Sequence, residues 1–491
     1  MSRLEAEAEA EAARVHAYRY EDLSREFNES QCIAIRAATT ERRSLTLIQG
    51  PPGTGKTRTA LTILEAWLRG GAFRPGTILA ASDSNIAVDN LLEGLARRCI
   101  RVVRLGRVDA VREDLRHFMP PRELRGVVLS PEQYNKELKR CLAQAEVVCC
   151  TTMSAGSSTM MKGLTFEGVL VDEATQATEA STLVALMRGA RQLVLLGDQC
   201  QLPPTTLSRA PPGTSLDASL SLFTRLVHDG VPPLMLDTQY RMHPALSQLP
   251  SDLFYGGRLR DGTLAHERAA LEGFPWPRPD VPAALIPVEG AAAGGGEITR
   301  GTSFVNVGEA DAVVWAVRHL LGSRTTRPGD IGIISPYAAQ VQLLRSRAEL
   351  RGLEVNSIDG FQGREMELII VSTVRTRGLG FMADARRANV ALTRARRGLI
   401  VVGAPSHLAR TDSAWAFWVR WARARGVVLG EQPHGEYDAA HAREASETIF
   451  AATGGGVADA LEVDVDARRL TPPCSLARAG RGPGGDRKTQ P

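Results

Sequence analysis

The sequence predicts an α/β protein made of two doubly wound parallel-sheet lobes in tandem. Three observations point there. From about residue 27, short apolar runs alternate with amphipathic helical segments, the pattern of strands covered by helices on both faces. The runs fall into two series. The first holds TILAAS (77–82), RVVRLG (101–106), AEVVCCTT (145–152), FEGVLVD (166–172) and RQLVLLGD (191–198). The second holds SFVNV (303–307), DIGIISP (330–336), LEVNSID (353–359), LIIVSTV (368–374) and GLIVVGA (398–404). A glycine-rich loop, set between an apolar run and a helical repeat, opens the first series.

Taken in order, residues 1–26 read as an alanine- and glutamate-rich helical extension. Lobe one covers 27–235, with a polar, mostly helical insertion at about 107–144. The break falls near Pro232 to Leu236. Lobe two covers 236–425, and Pro and Gly clusters at 262–300, including AAAGGG, read as a flexible excursion. Beyond 425 the pattern fades, and 426–491 reads as a largely disordered tail ending ARAGRGPGGDRKTQP.

Composition narrows the classes. A chain of 491 residues, 43% hydrophobic and 23% charged, suits a multi-domain globular protein. A net charge of +4 does not by itself require a nucleic-acid partner. Aromatics at 5% speak against a long base-stacking platform. The seven cysteines are scattered, with no C-x-x-C pair and no Cys/His zinc spacing, so no zinc module is expected and a reducing compartment, cytosol or nucleus, fits. The acidic opening EAEAEAEAA has the wrong charge for a leader, and no apolar stretch approaches a membrane span, so no membrane role is expected.

The motif GPPGTGKT comprises Gly50, Pro51, Pro52, Gly53, Thr54, Gly55, Lys56 and Thr57, with Arg58 next. It matches a phosphate-binding loop in full. SLTLIQG before it reads as a strand, and TRTALTILEAWL after it repeats apolar residues at helical spacing. Glycines let backbone N–H groups approach phosphate oxygens, and the helix N-terminus adds its positive dipole end. Lys56 is placed to reach the β and γ phosphates of ATP and Thr57 to hold Mg²⁺. In VLVDEATQ, Asp172 and Glu173 close another strand. There an Asp suits Mg²⁺ and the next Glu suits activation of the attacking water. LLGDQCQLPP then offers Gln201, a neutral group able to sense the γ-phosphate, and LDTQYRMHP offers Arg241. In RRANVALTRARRG, Arg394 and Arg397 stand one turn apart in an expected helix. Arg241 and Arg394 are expected to reach across from lobe two as arginine fingers. Arg386, Arg396 and Arg397 read as solvated surface.

Twelve ordered segments between about 27 and 425 carry a family resemblance. Among them are FNESQCIAI, SNIAVDNL, AEVVCCTTMSAG, VDEATQATE, GDQCQLPP, QYRMHP, FYGGRL, IGIISPY and NVALTRARRGLIVVG. The set resembles the superfamily 1 helicases, in the branch of the nonsense-mediated mRNA decay helicase and senataxin. The resemblance implies RecA-like lobes with ATP in the cleft between them, and 5′→3′ movement on single-stranded RNA or DNA, RNA preferred, with ribonucleoprotein partners. It implies that Gln31 reads adenine, that Tyr240 stacks on it, and that Glu365 contacts the ribose or braces the γ-phosphate region. A Gln amide can pair with both N6 and N7 of adenine. The segments matching the family's strand contacts supply Ser84, Asn85, Thr151, Thr152, Pro336, Tyr337, Asn356 and Ser357. Several of these small polar residues also suit helix capping, and the two uses can coexist. The family's accessory barrel finds no counterpart before Gln31. That leaves an alternative reading, an ATP-gated RNA clamp or ribonucleoprotein remodeller that does not unwind duplex. A scaffold with a dead site is disfavoured, because Lys56, Glu173, Gln201, Arg241 and Arg394 are all present.

Overall fold

The computed structural model describes residues 20–41, 43–124, 127–205, 220–289, 296–410 and 413–451. In the first half the strands are β1 (Leu45–Gln49), β2 (Ile78–Ser82), β3 (Val102–Leu105), β4 (Glu123–Leu124), β5 (Val127–Val128), β6 (Val147–Thr151), β7 (Gly168–Asp172), β8 (Gln192–Gly197) and β9 (Leu234–Met235). Seven of them form one parallel sheet in the order β3-β6-β2-β7-β8-β1-β9, while β4 and β5 make a separate short hairpin. The sheet runs are nearly continuous buried aliphatics, as both-face burial demands. Helices supply the cover. In the helix Lys56–Arg69, Ala60, Ile63, Leu64 and Trp67 are buried, and the Trp67 indole N–H donates to the Ala38 carbonyl at 2.9 Å.

The second half begins with a two-strand pair, β10 (Thr238–Gln239) and β11 (Arg260–Asp261). It continues with β12 (Ala283–Pro287), β13 (Ile298–Arg300), β14 (Ser303–Val305), β15 (Ile331–Ser335), β16 (Glu354–Ser357), β17 (Met366–Ser372) and β18 (Ala395–Gly403). Five of these form a second parallel sheet, β12-β18-β17-β15-β16. The predicted pair of doubly wound parallel-sheet lobes is therefore present.

Strand order decides where chemistry can gather. β7, β8 and β1 are neighbours and run the same way, so their carboxyl ends share one edge. There β1 hands over to the glycine loop, β7 to Asp172–Glu173 and β8 to Asp198, and the Gly50 N–H donates to the Gly197 carbonyl at 2.8 Å. Ligand crevices in such sheets lie outside carboxyl strand ends.

Several sequence expectations are corrected. SFVNV contributes no strand to the sheet; β14 pairs antiparallel with β13 in a hairpin. The stretch 262–300 is not simply a flexible excursion, because β12 inside it is the edge strand beside β18; most of AAAGGG lies outside the described residues. The five residues of β12, Ala283–Pro287, are too few to show a period inside a Pro- and Gly-rich stretch. The insertion holds two 3-10 turns, the β4–β5 hairpin and one helix, Pro131–Gln144. Its polarity had masked the hairpin.

The expected tail from 426 also starts too early. Val427 and Val428 are buried, the Val427 carbonyl accepts from the Leu285 N–H at 2.9 Å, and the helix Ala439–Ala451 follows. Tyr437 and Arg443 bind Asp252 on the helix Pro244–Tyr255 at 3.1 and 2.8 Å. Residues 452–491, and 1–19 of the expected extension, lie outside the described residues. The helix carrying RRANVAL ends at Leu392, so Arg394 sits in the turn into β18 and Arg397 within that strand.

Candidate active site

The glycine loop leads into the helix Lys56–Arg69 through Gly55, whose φ of 81° lies in the left-handed region that glycine favours. A Cβ there would stand 2.7 Å from Gln31 Nε2. At Gly53, φ is 75° and a Cβ would meet the Arg241 Cβ at 2.5 Å. Lobe two thus presses on the phosphate loop directly, and the Tyr240 N–H donates to the Gly53 carbonyl at 2.9 Å. A cleft of about 350 Å³ opens here. It is lined by residues 51–58, Glu173 and Gln201 from lobe one, and by Tyr240, Arg241, Gly363, Glu365 and Arg394 from lobe two.

Lys56 Nζ donates to the Gly50 carbonyl at 2.7 Å and lies 3.9 Å from Glu173 Oε1. Glu173 holds φ at 51°, a strained choice for a non-glycine residue, and its Oε2 accepts from Gln176 Nε2 at 2.8 Å. Asp172 is buried, and its Oδ1 accepts from the Glu173 N–H at 2.9 Å. Burial, reinforced by the charge of Glu173, holds the Asp172 carboxyl above the usual carboxylate range, while Lys56 opposes that rise. A crowded carboxylate pair of this kind is a donor set suited to a divalent cation, which relieves both burdens. Thr57 is half-buried at the first turn of the loop's helix, and the exposed Arg58 lies 4.4 Å from the Phe27 ring centre.

From lobe two, Arg241 Nε donates to Glu365 Oε2 at 2.5 Å and its Nη1 to the Thr393 carbonyl at 2.9 Å. Arg241 lowers the Glu365 carboxyl, against the desolvation that is the largest influence on it. Arg394 is 2% exposed. Its Nη2 donates to Gln201 Oε1 at 3.1 Å, so it bridges the lobes. Burial, then the charge of Arg241, pulls its guanidinium down to about 9. Tyr240 is 39% exposed, and its hydroxyl accepts from Asn28 Nδ2 at 2.9 Å. Gln31 is buried against the loop: its Nε2 donates to the Thr54 carbonyl at 3.0 Å and its Oε1 accepts from the Asn28 N–H at 3.2 Å in a capping box. Arg386, Arg396 and Arg397 are half-buried and bonded to Asp384, Glu367 and the Ala269 carbonyl, contrary to a solvated reading.

On another side of the interface, a groove of about 310 Å³ is lined by Asp83, Gln176 and Leu202 from lobe one and Asp359, Gln362 and Arg387 from lobe two. None of the expected strand-contacting residues lines this groove, and they divide by exposure. Ser84 caps the helix Asn85–Arg97, and its hydroxyl accepts from the Ala87 N–H at 3.1 Å. Asn85 Oδ1 accepts from the buried Arg104 at 2.8 Å. Ser357 Oγ accepts from the Gly360 N–H at 3.0 Å and Asn356 Oδ1 from the Ser357 N–H at 2.9 Å. Thr151 Oγ1 donates to Ser154 Oγ at 2.8 Å. All five, with Pro336, remain partly exposed.

Thr152 and Tyr337 do not. Both are buried, Thr152 donating to Asp83 Oδ1 at 3.0 Å and Tyr337 to the Leu379 carbonyl at 3.1 Å. Their side chains are structural supports, a correction that follows for Tyr337 from the packing of Phe304 and Phe381 around it and for Thr152 from its burial and its bond to Asp83. Sequence reading missed two things. One is Phe381, an exposed ring (51%) with the Arg387 guanidinium 5.4 Å from its centre. The other is Asp198 as a buried polar centre. The signal for Asp198 was its place at a carboxyl strand end; nothing local marks Phe381.

A phosphate loop, a carboxylate pair on the next strand but one, and two arginines from the second lobe define a two-lobed P-loop nucleotide-binding protein. Two family models, each described as an AAA domain, match residues 26–128 together with 122–209, and residues 218–406. The regulator of nonsense transcripts 1 homolog of Drosophila melanogaster is 37% identical over 442 residues, covering 82% of this chain and 36% of that protein. Regulator of nonsense transcripts 1 of Caenorhabditis elegans is 38% identical over 426 residues, 79% of this chain and 39% of that protein. ATP-dependent helicase upf1 of Schizosaccharomyces pombe is 37% identical over 445 residues, 82% of this chain and 47% of that protein. The chain belongs to the superfamily 1 helicases, in the branch of the regulators of nonsense transcripts. It spans between about a third and a half of the length of these relatives.

Proposed function

We propose that this chain is an ATP-driven motor that moves 5′→3′ along single-stranded nucleic acid, RNA in preference to DNA. One observation carries the reading: Arg241 and Arg394 from lobe two line the same cleft as Lys56 and Glu173 from lobe one. A triphosphate bound there joins both lobes, and its cleavage weakens that join. Backbone N–H groups of the glycine loop and Lys56 bind the phosphates. Glu173 is placed to accept a proton from the attacking water, and Arg394 to stabilise charge on the transferred group. Mg²⁺ held by Thr57 and Asp172 would neutralise phosphate charge. Gln31 and Tyr240 frame the base end of the cleft. Beyond its bonds to the Thr54 carbonyl and the Asn28 N–H, the Gln31 amide keeps one N–H and one oxygen lone pair for adenine.

Strand binding is assigned to the partly exposed Ser84, Asn85, Thr151, Pro336, Asn356 and Ser357, which offer small polar and backbone groups to a sugar–phosphate chain. Direction and sugar preference are drawn from the family resemblance. The test is ATPase and strand separation on matched RNA and DNA duplexes with either a 5′ or a 3′ single-stranded tail. The expected result is turnover raised by single strands and separation of 5′-tailed duplexes only. Stimulated turnover with every duplex left intact would favour the ATP-gated clamp. Turnover indifferent to nucleic acid would overturn the motor reading.

A further inference from the structure

Beneath the nucleotide cleft the lobes join through five buried polar side chains, none more than 4% exposed. Asp198, at the end of β8, is the centre. Its Oδ2 accepts from Gln201 Nε2 at 2.6 Å and from the Tyr255 hydroxyl at 2.7 Å, and its Oδ1 accepts from the Cys200 N–H at 3.2 Å. Tyr255 and Asn389 belong to lobe two. Asn389 Nδ2 donates to the Tyr255 oxygen and to the Cys200 carbonyl, each at 2.8 Å. Gln201 Oε1 completes the chain by accepting from Arg394. Asn389 Oδ1 is left buried without a partner among the described residues, an unfavourable arrangement that simple packing would not select.

The guanidinium end fixes the central bond. A guanidinium only donates, so Gln201 must turn its oxygen to Arg394 and hence its N–H₂ to Asp198, whose carboxyl burial pushes up while Lys56 and the bonds from Gln201 and Tyr255 oppose that rise. The Tyr255 hydroxyl donates to Asp198, and its oxygen is then free to accept from Asn389. Gln201 so oriented is the lobe-one partner of a guanidinium that its own lobe holds through the Val390 carbonyl and Thr393 Oγ1, each at 3.0 Å.

We propose that Asp198, Tyr255 and Asn389 are positioning residues that set the polarity of the Gln201 amide and, through it, the docking of Arg394. Interlobe register, and not only phosphate contact, then controls hydrolysis. The inference rests on ATP being hydrolysed in this cleft.

Two variants test it in the full chain. Tyr255→Phe removes the hydroxyl and keeps the ring. Asp198→Asn keeps the shape, but a carboxamide has one acceptor end and cannot serve three donors. Each is measured alone and combined with Gln201→Ala, at saturating single-stranded RNA. The expected single-variant result is kcat lower by about tenfold, the order that loss of one buried hydrogen bond gives, with KM for ATP within about twofold. In the Gln201→Ala background, either change should cost little further. Independent, multiplicative losses in that background, a loss confined to KM, or an unchanged kcat would each overturn the inference. If one variant does not fold, the other carries the cycle. An inactive wild type would instead defeat the ATPase reading itself, so the two failures are distinguishable.

Discussion

Lys56 and Arg394 do different work at the same cleft, and single substitutions should separate them. Lys56 is the loop's own cation, 3.9 Å from Glu173. Lys56→Ala is expected to abolish turnover and weaken nucleotide binding, read by a fluorescent ATP analogue and by phosphate release. Arg394 reaches in from the other lobe. Arg394→Ala should leave nucleotide affinity near wild type and slow hydrolysis by roughly a thousandfold or more. Retained hydrolysis in either variant would mean that the roles are misassigned. At this scale much of the cleft was legible. Lys56, Thr57, Asp172 and Glu173 announce themselves because a phosphate cradle is built from local spacing. Thr152 and Tyr337 were misread because nothing local distinguishes a polar group that faces a groove from one turned into its own lobe.

Elements hold these residues where the chemistry needs them, and two changes probe them. Trp67 is fully buried in the helix that starts at the phosphate loop, packs edge-on against Phe73 and donates to the Ala38 carbonyl. Trp67→Ala should destabilise the protein by about 3–5 kcal/mol in urea unfolding. A loss under about 1 kcal/mol would mean that this helix is not anchored as described. In lobe two, Glu309 is fully buried and accepts from Ser372 Oγ at 2.7 Å and the Val374 N–H at 2.8 Å. Burial pushes its carboxyl from 4.5 up to about 7. The folded state therefore holds this proton more tightly than the unfolded chain. Its contribution to stability is greatest below about pH 4.5 and is lost as pH rises to about 7. Glu309→Gln should flatten that pH dependence in thermal melts between pH 5 and 8. An unaltered profile would show that Glu309 does not titrate in this range. Strand existence was readable from apolar runs. The edge strand β12 was not, because five residues of Ala, Leu, Ile and Pro inside a Pro- and Gly-rich stretch carry too short a period.

For the molecule as a whole, strand binding has a signature in salt. Binding through sugar–phosphate contacts releases counterions, so affinity for single strands should fall steeply as salt rises, by about −0.7 in log–log slope per neutralised phosphate. A slope near zero in fluorescence anisotropy titrations would overturn strand binding through phosphate contacts. Phe381 adds a separable element. An exposed ring backed by a guanidinium can stack on a base, and Phe381→Ala is expected to weaken binding by about 1–3 kcal/mol without changing the salt slope. Unchanged affinity would leave Phe381 outside the strand path.

The sequence alone determined the α/β class, the two series of strands, the phosphate loop and its acidic partners, because each is written in residue type and short-range spacing. Tertiary structure alone decided which polar groups are buried, that 427–451 packs onto lobe two, and that Asp198, Gln201, Tyr255, Asn389 and Arg394 form one chain of bonds. Gln201 and Arg394 stand 193 positions apart, and their meeting depends on how two sheets pack, which no local period encodes.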